Sequence, residues 1–126
     1  MSQLVLDAGA FIAFERGDVR VRQLLLAAEA LGDTLVTVSP VVGQVWRDGA
    51  RQALLARILR SVDVRAPAQP AARAAGELLR KTGTSDVVDA LLAGVARHGD
   101  TLLTGDPHDL AALLSAARIR VTLVTI

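Results

Sequence analysis

The sequence predicts an α/β domain in three layers, with a central, mainly parallel five-stranded sheet flanked by helices on both faces. Short β-type apolar runs alternate with longer amphipathic stretches, the pattern of strands joined by crossover helices. Apolar residues make up 52% of the 126 residues, enough for one well-filled core. A chain of this length buries about two-thirds of the surface that its unfolded form exposes. Glycine and proline punctuate the joints between runs. A single domain over residues 1–126 follows.

Gln3 to Leu6 is the first strand, with Leu4-Val5-Leu6 leading directly into Asp7. A helix over Ala10 to Glu15 carries Phe11 and Phe14 at core spacing. Val19 to Leu31 is the second helix, bounded by Gly17-Asp18 and Gly32-Asp33. Leu35 to Val38 is the second strand. Pro40 then marks the first turn of a helix over Val41 to Arg47, where proline removes no helical hydrogen bond. A helix over Ala50 to Leu59 leads to the third strand, Val62 to Arg65. The segment Ala66-Pro67-Ala68-Gln69-Pro70 has linker-like composition but is too short to separate one domain from another. Helices over Ala71 to Lys81 and Val87 to Arg97 follow, closed by Gly83 and Gly99. The fourth strand, Thr101 to Thr104, the helix His108 to Ala116 and the fifth strand, Arg120 to Thr125, complete the chain. There is no internal repeat and no low-complexity tract.

Composition excludes several classes. No apolar run approaches the roughly 18 residues that a membrane-spanning helix needs. Met1-Ser2-Gln3 leads into Leu4 with no basic region and no cleavage motif, so the expectation is a cytoplasmic protein without a membrane partner. With no cysteine, disulfides and thiolate zinc sites are excluded, and any metal is held by oxygen or by the two histidines. A net charge of +1 provides no broad basic field for nucleic acid. Thirteen of the 14 basic residues are arginine, with Lys81 the exception. Arginine forks suit phosphate and carboxylate, although genomic base composition explains an Ala- and Arg-rich chain equally well.

The acids carry the chemistry. Asp7 and Asp106 each follow an apolar strand, at the carboxyl edge where open α/β sheets place their ligands. A crossover helix runs antiparallel to the strands and so begins at that same edge. Asp86 and Asp89, three apart in the first turn of the helix before the fourth strand, therefore share one face directed there. Converging carboxylates repel and are costly to desolvate, and a bound cation accounts for them. Hard oxygen donors suit magnesium or manganese, which lowers the pKa of a bound water and neutralises charge on a phosphate. Structural readings stand beside this one. Asp86 and Asp89 also form an acidic cap and a third-position acid worth roughly 1 kcal/mol. Asp106 is placed to cap the helix beginning near Pro107, and Asp109 reads as a first-turn acid facing the helix dipole. For Asp7 only a site or a cap offers an explanation. His98 and His108 have no partner at metal-ligand spacing.

Other chemistries on similar sheets lack their residues. A phosphoaspartyl hydrolase needs a second aspartate two residues after Asp7, where Gly9 stands. A receiver domain needs an aspartate after the third strand, where Arg65-Ala66-Pro67 stands. No phosphate-binding loop with lysine and no dinucleotide fingerprint occurs.

Four segments, Leu4 to Ile12, Val36 to Trp46, Asp86 to Ala93 and Leu102 to Asp106, resemble in order and spacing the PIN domains, and among them the VapC-type toxins of bacterial toxin–antitoxin pairs. The resemblance spans nearly the whole chain. It implies a parallel sheet with the first strand in the middle, and a magnesium- or manganese-dependent endoribonuclease. It further implies a homodimer held inactive by an antitoxin that presents an extended or helical segment to the acidic edge or a nearby groove. Position by position, Asp7 matches the family's first acid, Asp89 the third and Asp106 the fourth, while Thr104 matches the hydroxyl residue before that last acid. Gln44 stands where the family carries its second acid, a glutamate. An amide offers a carbonyl oxygen but no charge, so Asp86 is hypothesised to make up the deficit. Arg47, Arg51 and Arg16 are the candidates for RNA contact, with solvated helix faces as the plain alternative. Trp46 reads as core or dimer interface rather than a base platform. The rival function is a catalytically impaired binding module that acts through protein partners.

Overall fold

Five strands, β1 (Gln3–Leu6), β2 (Thr34–Val38), β3 (Val62–Arg65), β4 (Thr101–Thr104) and β5 (Thr122–Thr125), form one wholly parallel sheet in the order β3-β2-β1-β4-β5. The computed structural model describes residues 2–126, so Met1 of the Met1-Ser2-Gln3 opening lies outside them. The first strand is central, buried along its full length, which is why it reads as an unbroken apolar run rather than an alternation. β5 is an edge strand and only half-buried.

Among the described residues seven α-helices connect the strands: α1 (Ala8–Glu15), α2 (Val19–Ala30), α3 (Ser39–Val45), α4 (Ala53–Leu59), α5 (Gln69–Thr82), α6 (Val87–Val95) and α7 (Pro107–Ala117). Helix α1 packs with α2, α3 and α4, whereas α5, α6 and α7 pack on one another. Two helical groups thus supply the outer layers. Between them Phe11, Leu55, Leu92, Leu102, Leu103, Leu110 and Leu113 are fully buried, each worth roughly 1.5–3 kcal/mol by removal from water.

The sheet is pinned at its amino edge. Gln3 donates its backbone N–H and its side-chain amide to Asp100, at 2.9 and 2.7 Å. This fixes β1 beside β4 with Leu6 opposite Leu103. Asp7 is therefore brought level with the turn that follows β4.

Three elements differ from expectation, each because a side chain intervenes. Helix α1 begins at Ala8 rather than Ala10, since Asp7 itself caps it. Helix α3 stops at Val45, and Trp46 is extended. The Gln52 amide closes that end, donating to the Val45 carbonyl (2.9 Å) and accepting from the N–H groups of Arg47 and Asp48 at 2.7 and 2.9 Å. The helix expected over Ala50 to Leu59 is consequently split into a 3₁₀ turn, Gly49–Arg51, and α4. Trp46 is 37% exposed rather than core, with its ring lying over Gly49, where a Cβ would come within 2.9 Å of it.

Candidate metal centre

Asp7 leaves β1 in extended conformation, so its carboxylate turns back over the start of α1. One oxygen accepts from Ala10 N–H and the other from Gly105 N–H, both at 3.0 Å. Asp7 is buried and clamps the β1–α1 junction to the β4–α7 turn. Gly9 permits this closeness: a Cβ there would lie 3.2 Å from Asp7 Oδ1 and 3.3 Å from Gly105 N.

The β4–α7 turn is shaped by Thr104, whose fully buried hydroxyl accepts from Asp106 N–H at 2.7 Å. Asp106 occupies the cap position of α7, yet its side chain makes no capping hydrogen bond. Its carboxylate is therefore available to a ligand.

On α6 the two acids divide their roles. Asp86 Oδ1 caps the helix, accepting from the N–H groups of Val88 (2.9 Å) and Asp89 (3.2 Å). Asp89, one turn on, is 8% exposed. Among the described residues, its Oδ2 is the one buried side-chain oxygen or nitrogen without a hydrogen-bond partner. Burial first, then the Asp86 charge, the adjacent Asp106 carboxyl and the Asp7 charge push the Asp89 carboxyl up to about 7. A buried orphan oxygen among like charges is an electrostatic cost that a proton or a cation relieves.

These groups face a cavity of about 270 Å³ lined by Asp7, Gln44, Arg47, Asp86, Asp89 and Asp106 among others. A larger groove of about 820 Å³ lies between α7 and β5, but no carboxylate lines it. The acid cavity is smaller and has the chemistry. Its donors are hard oxygens, the orphan among them, which fits a divalent ion of the magnesium or manganese type.

Of the residues singled out from sequence, Asp7, Asp86, Asp89, Asp106, Gln44 and Arg47 meet at this cavity. Thr104 lies behind it and orients the turn. Gln44 is an exposed wall residue on α3. The Arg47 guanidinium is held by the carbonyls of Gly43 and Trp46, at 3.0 and 2.8 Å. Arg51 is not at the cavity lining but out in solvent, 3.6 Å from Asp48. Arg16 lines a separate depression with Gly9, Ile12 and Ile126. One residue read as structural joins the acids: Asp109 offers an oxygen within 4.8 Å of oxygens of both Asp89 and Asp106, a trio that does not include Asp7. Its spacing of three from Asp106 was the signal available in the sequence.

Comparison with known proteins agrees with this architecture. A family model described as PIN domain matches residues 4–114. The chain is also similar to a chain in the crystal structure of VapBC2 from Rickettsia felis bound to a DNA fragment from their promoter. The TM-score is 0.69 at 16% identity, covering 100% of this chain and 99% of that one. At that identity the likeness speaks for the fold. No curated protein matches at a significant level.

Proposed function

The chain belongs to the PIN-domain family, and from that premise we propose that it is a divalent-metal-dependent endoribonuclease, the VapC-type toxin of a toxin–antitoxin pair. The observation that carries this is the Asp89 carboxylate, buried beside Asp106 with one oxygen unpartnered. A fold that only needed stability would not retain it, because a buried anion without a partner is costly.

In this reading Asp7, Asp89 and Asp106 hold magnesium or manganese, and Asp86 adds negative charge from the cap of α6. The ion, when bound, lowers the pKa of a water and offsets charge on the scissile phosphate. The protein's own groups do the remainder. Asp7, fixed by two backbone N–H groups, keeps the β1 and β4 ends at constant separation. Thr104, through the Asp106 N–H, orients the last acid. Arg47, on the cavity wall opposite the acids' own charge, offers free guanidinium edges to an RNA phosphate. Arg51 and Arg16, further out, suit flanking backbone. The two carbonyl contacts of Arg47 hold its fork without neutralising it.

The VapBC2 structure supports an antitoxin as protein partner, and a homodimer is what the family resemblance implies. Among the described residues no helix is long and apolar enough to cross a membrane. Gln44, uncharged on the cavity wall, is the one observation favouring the rival reading, an impaired binding module. Incubating the protein with structured RNAs, with and without manganese, beside Asp7→Asn decides between them. Manganese-dependent cleavage lost in the variant is the expected result. No cleavage by either protein, or equal cleavage by both, would sink the nuclease reading.

A further inference from the structure

Resting on the nuclease reading above, we propose that the depression beside the α1–α2 corner is a nucleobase subsite that selects an unpaired guanine, with Asp18 and Arg16 reading the base. The depression has a volume of about 440 Å³, and its walls include Gly9, Ile12, Arg16, Asp18 and Ile126. That is within the size range of small-ligand sites. It adjoins the acid cavity directly. Asp7 and Ala8 line the one and Gly9 the other, and a Cβ on Gly9 would stand 3.2 Å from Asp7 Oδ1 and 3.3 Å from Ile126 Cδ1. An RNA strand with a phosphate at the acids therefore brings a neighbouring base to this wall.

The walls suit a base. Ile12 and Ile126 are 37% and 38% exposed, and an unstacked base covers such side chains with its flat face. Arg16 and Asp18 are two apart in sequence and line the same depression, yet they do not pair. Among the described residues the ion pairs join Arg51 to Asp48 and Arg65 to Asp63. Asp18 Oδ1 accepts from the Val21 N–H at 3.0 Å as the cap of α2, and its other oxygen accepts nothing. A free donor fork and a free carboxylate oxygen in one recess address a ligand edge that carries both acceptors and donors. Guanine alone among the four bases presents two adjacent donors, N1–H and the 2-amino group, for a carboxylate, and the acceptors O6 and N7 for a guanidinium. This sharpens the flanking role given above to Arg16.

The corner is held before any ligand arrives. Asp18 N–H donates to the Ala13 carbonyl and Gly17 N–H to that of Phe14, at 3.0 and 3.1 Å, with Gly17 at a φ of 81° that strains other residues. Arg20 Nη1 donates to the Thr125 carbonyl at 2.9 Å, and Ile126 N–H to that of Thr104 at 3.0 Å. The end of β5 is thus tied to both α2 and β4. Walls fixed in advance spare the ordering cost of binding.

The test changes the protein and the base together. Wild type, Asp18→Asn and Arg16→Lys are incubated in manganese with a random-sequence pool of single-stranded RNA, and the cut ends are sequenced. In parallel, binding is measured in chelator to short fluorescent uridine runs with one central guanosine, inosine, adenosine or cytidine. Wild type should show guanine enriched at one fixed position from the cut, and should bind guanosine about tenfold more tightly than inosine, which lacks the 2-amino group. Asparagine caps a helix as well as aspartate does, so Asp18→Asn should fold normally and lose both preferences. Arg16→Lys, which keeps the charge but not the fork, should weaken the enrichment several-fold. A merely structural Asp18 would leave base preference unmoved. Cleavage with no base preference, with another base preferred, or with guanine still enriched in Asp18→Asn overturns the subsite and leaves the nuclease reading standing. Absence of cleavage, with guanosine discrimination present in wild type and lost in Asp18→Asn, removes the nuclease reading and retains the base site. Absence of both ends the inference.

Discussion

Replacing Asp89 by asparagine should stabilise the metal-free protein at pH 8. Burial and its acidic neighbours push the Asp89 carboxyl from 3.8 up to about 7. A carboxyl raised in this way binds its proton more tightly folded than unfolded. Its favourable contribution is complete below about pH 4, declines as pH rises, and is gone above about 7. The full displacement corresponds to about 4 kcal/mol as a ceiling. The carboxyl lines a cavity that opens to solvent, so screening reduces this figure. The neighbouring acids also titrate together with Asp89 and share the cost, so we expect a gain of about 2 kcal/mol in Asp89→Asn. For a domain of this size that is a rise of about 6–8 °C in Tm. The amide can also donate to a neighbouring carboxylate. Melting in chelator from pH 4 to pH 8 should show the wild type losing stability while the variant stays comparatively level, the two curves meeting near pH 4. Manganese at a hundredfold excess over Kd then adds about 2.7 kcal/mol to the wild type alone and reverses the order. A variant less stable than wild type in chelator at pH 8, or a gap independent of pH, would refute the account of Asp89.

Three further outcomes follow from the same geometry. Asp7→Ala leaves the N–H groups of Ala10 and Gly105 without their acceptor and should cost about 2–4 kcal/mol in chemical denaturation, whereas Asp7→Asn, which keeps one acceptor oxygen, should cost clearly less while still weakening manganese binding. Gln44→Glu should tighten manganese binding several-fold and raise RNA cleavage, measured by calorimetry and by single-turnover assay; a fall in both would mean that the wall at position 44 does not face the ion. Arg47→Ala should raise KM for RNA about tenfold or more, with manganese affinity little changed, and equal loss of both would assign Arg47 to the fold rather than to the substrate.

The strands were legible because a parallel sheet covered on both faces demands continuous apolar runs, and Leu4-Val5-Leu6 and Leu102-Leu103 are such runs. Their ends were less so. The last strand begins at Thr122 rather than Arg120, since the Arg120 N–H is taken by His98 Nδ1 at 3.1 Å, a contact 22 residues away in sequence. The helix break before α4 likewise depends on Gln52 reaching back to Val45. Such side-chain closures leave no periodic trace.

For the site, topology did much of the work from sequence alone. In a parallel sheet every strand ends, and every crossover helix begins, at one edge, so Asp7, Asp86, Asp89 and Asp106 had to share it. The absence of a charge at Gln44 was equally plain. What the sequence could not rank is which carboxylates are already occupied. Asp7 is engaged by two N–H groups, Asp86 by the α6 cap, Asp106 by no capping bond at all, and Asp89 is left with an orphan oxygen. Asp109, an ordinary first-turn acid by position, joins Asp89 and Asp106 only because α7 packs against α6. Spacing along the chain determines which edge an acid reaches. Hydrogen bonding and desolvation, which act over a few ångströms between elements distant in sequence, decide whether its charge is free when it arrives.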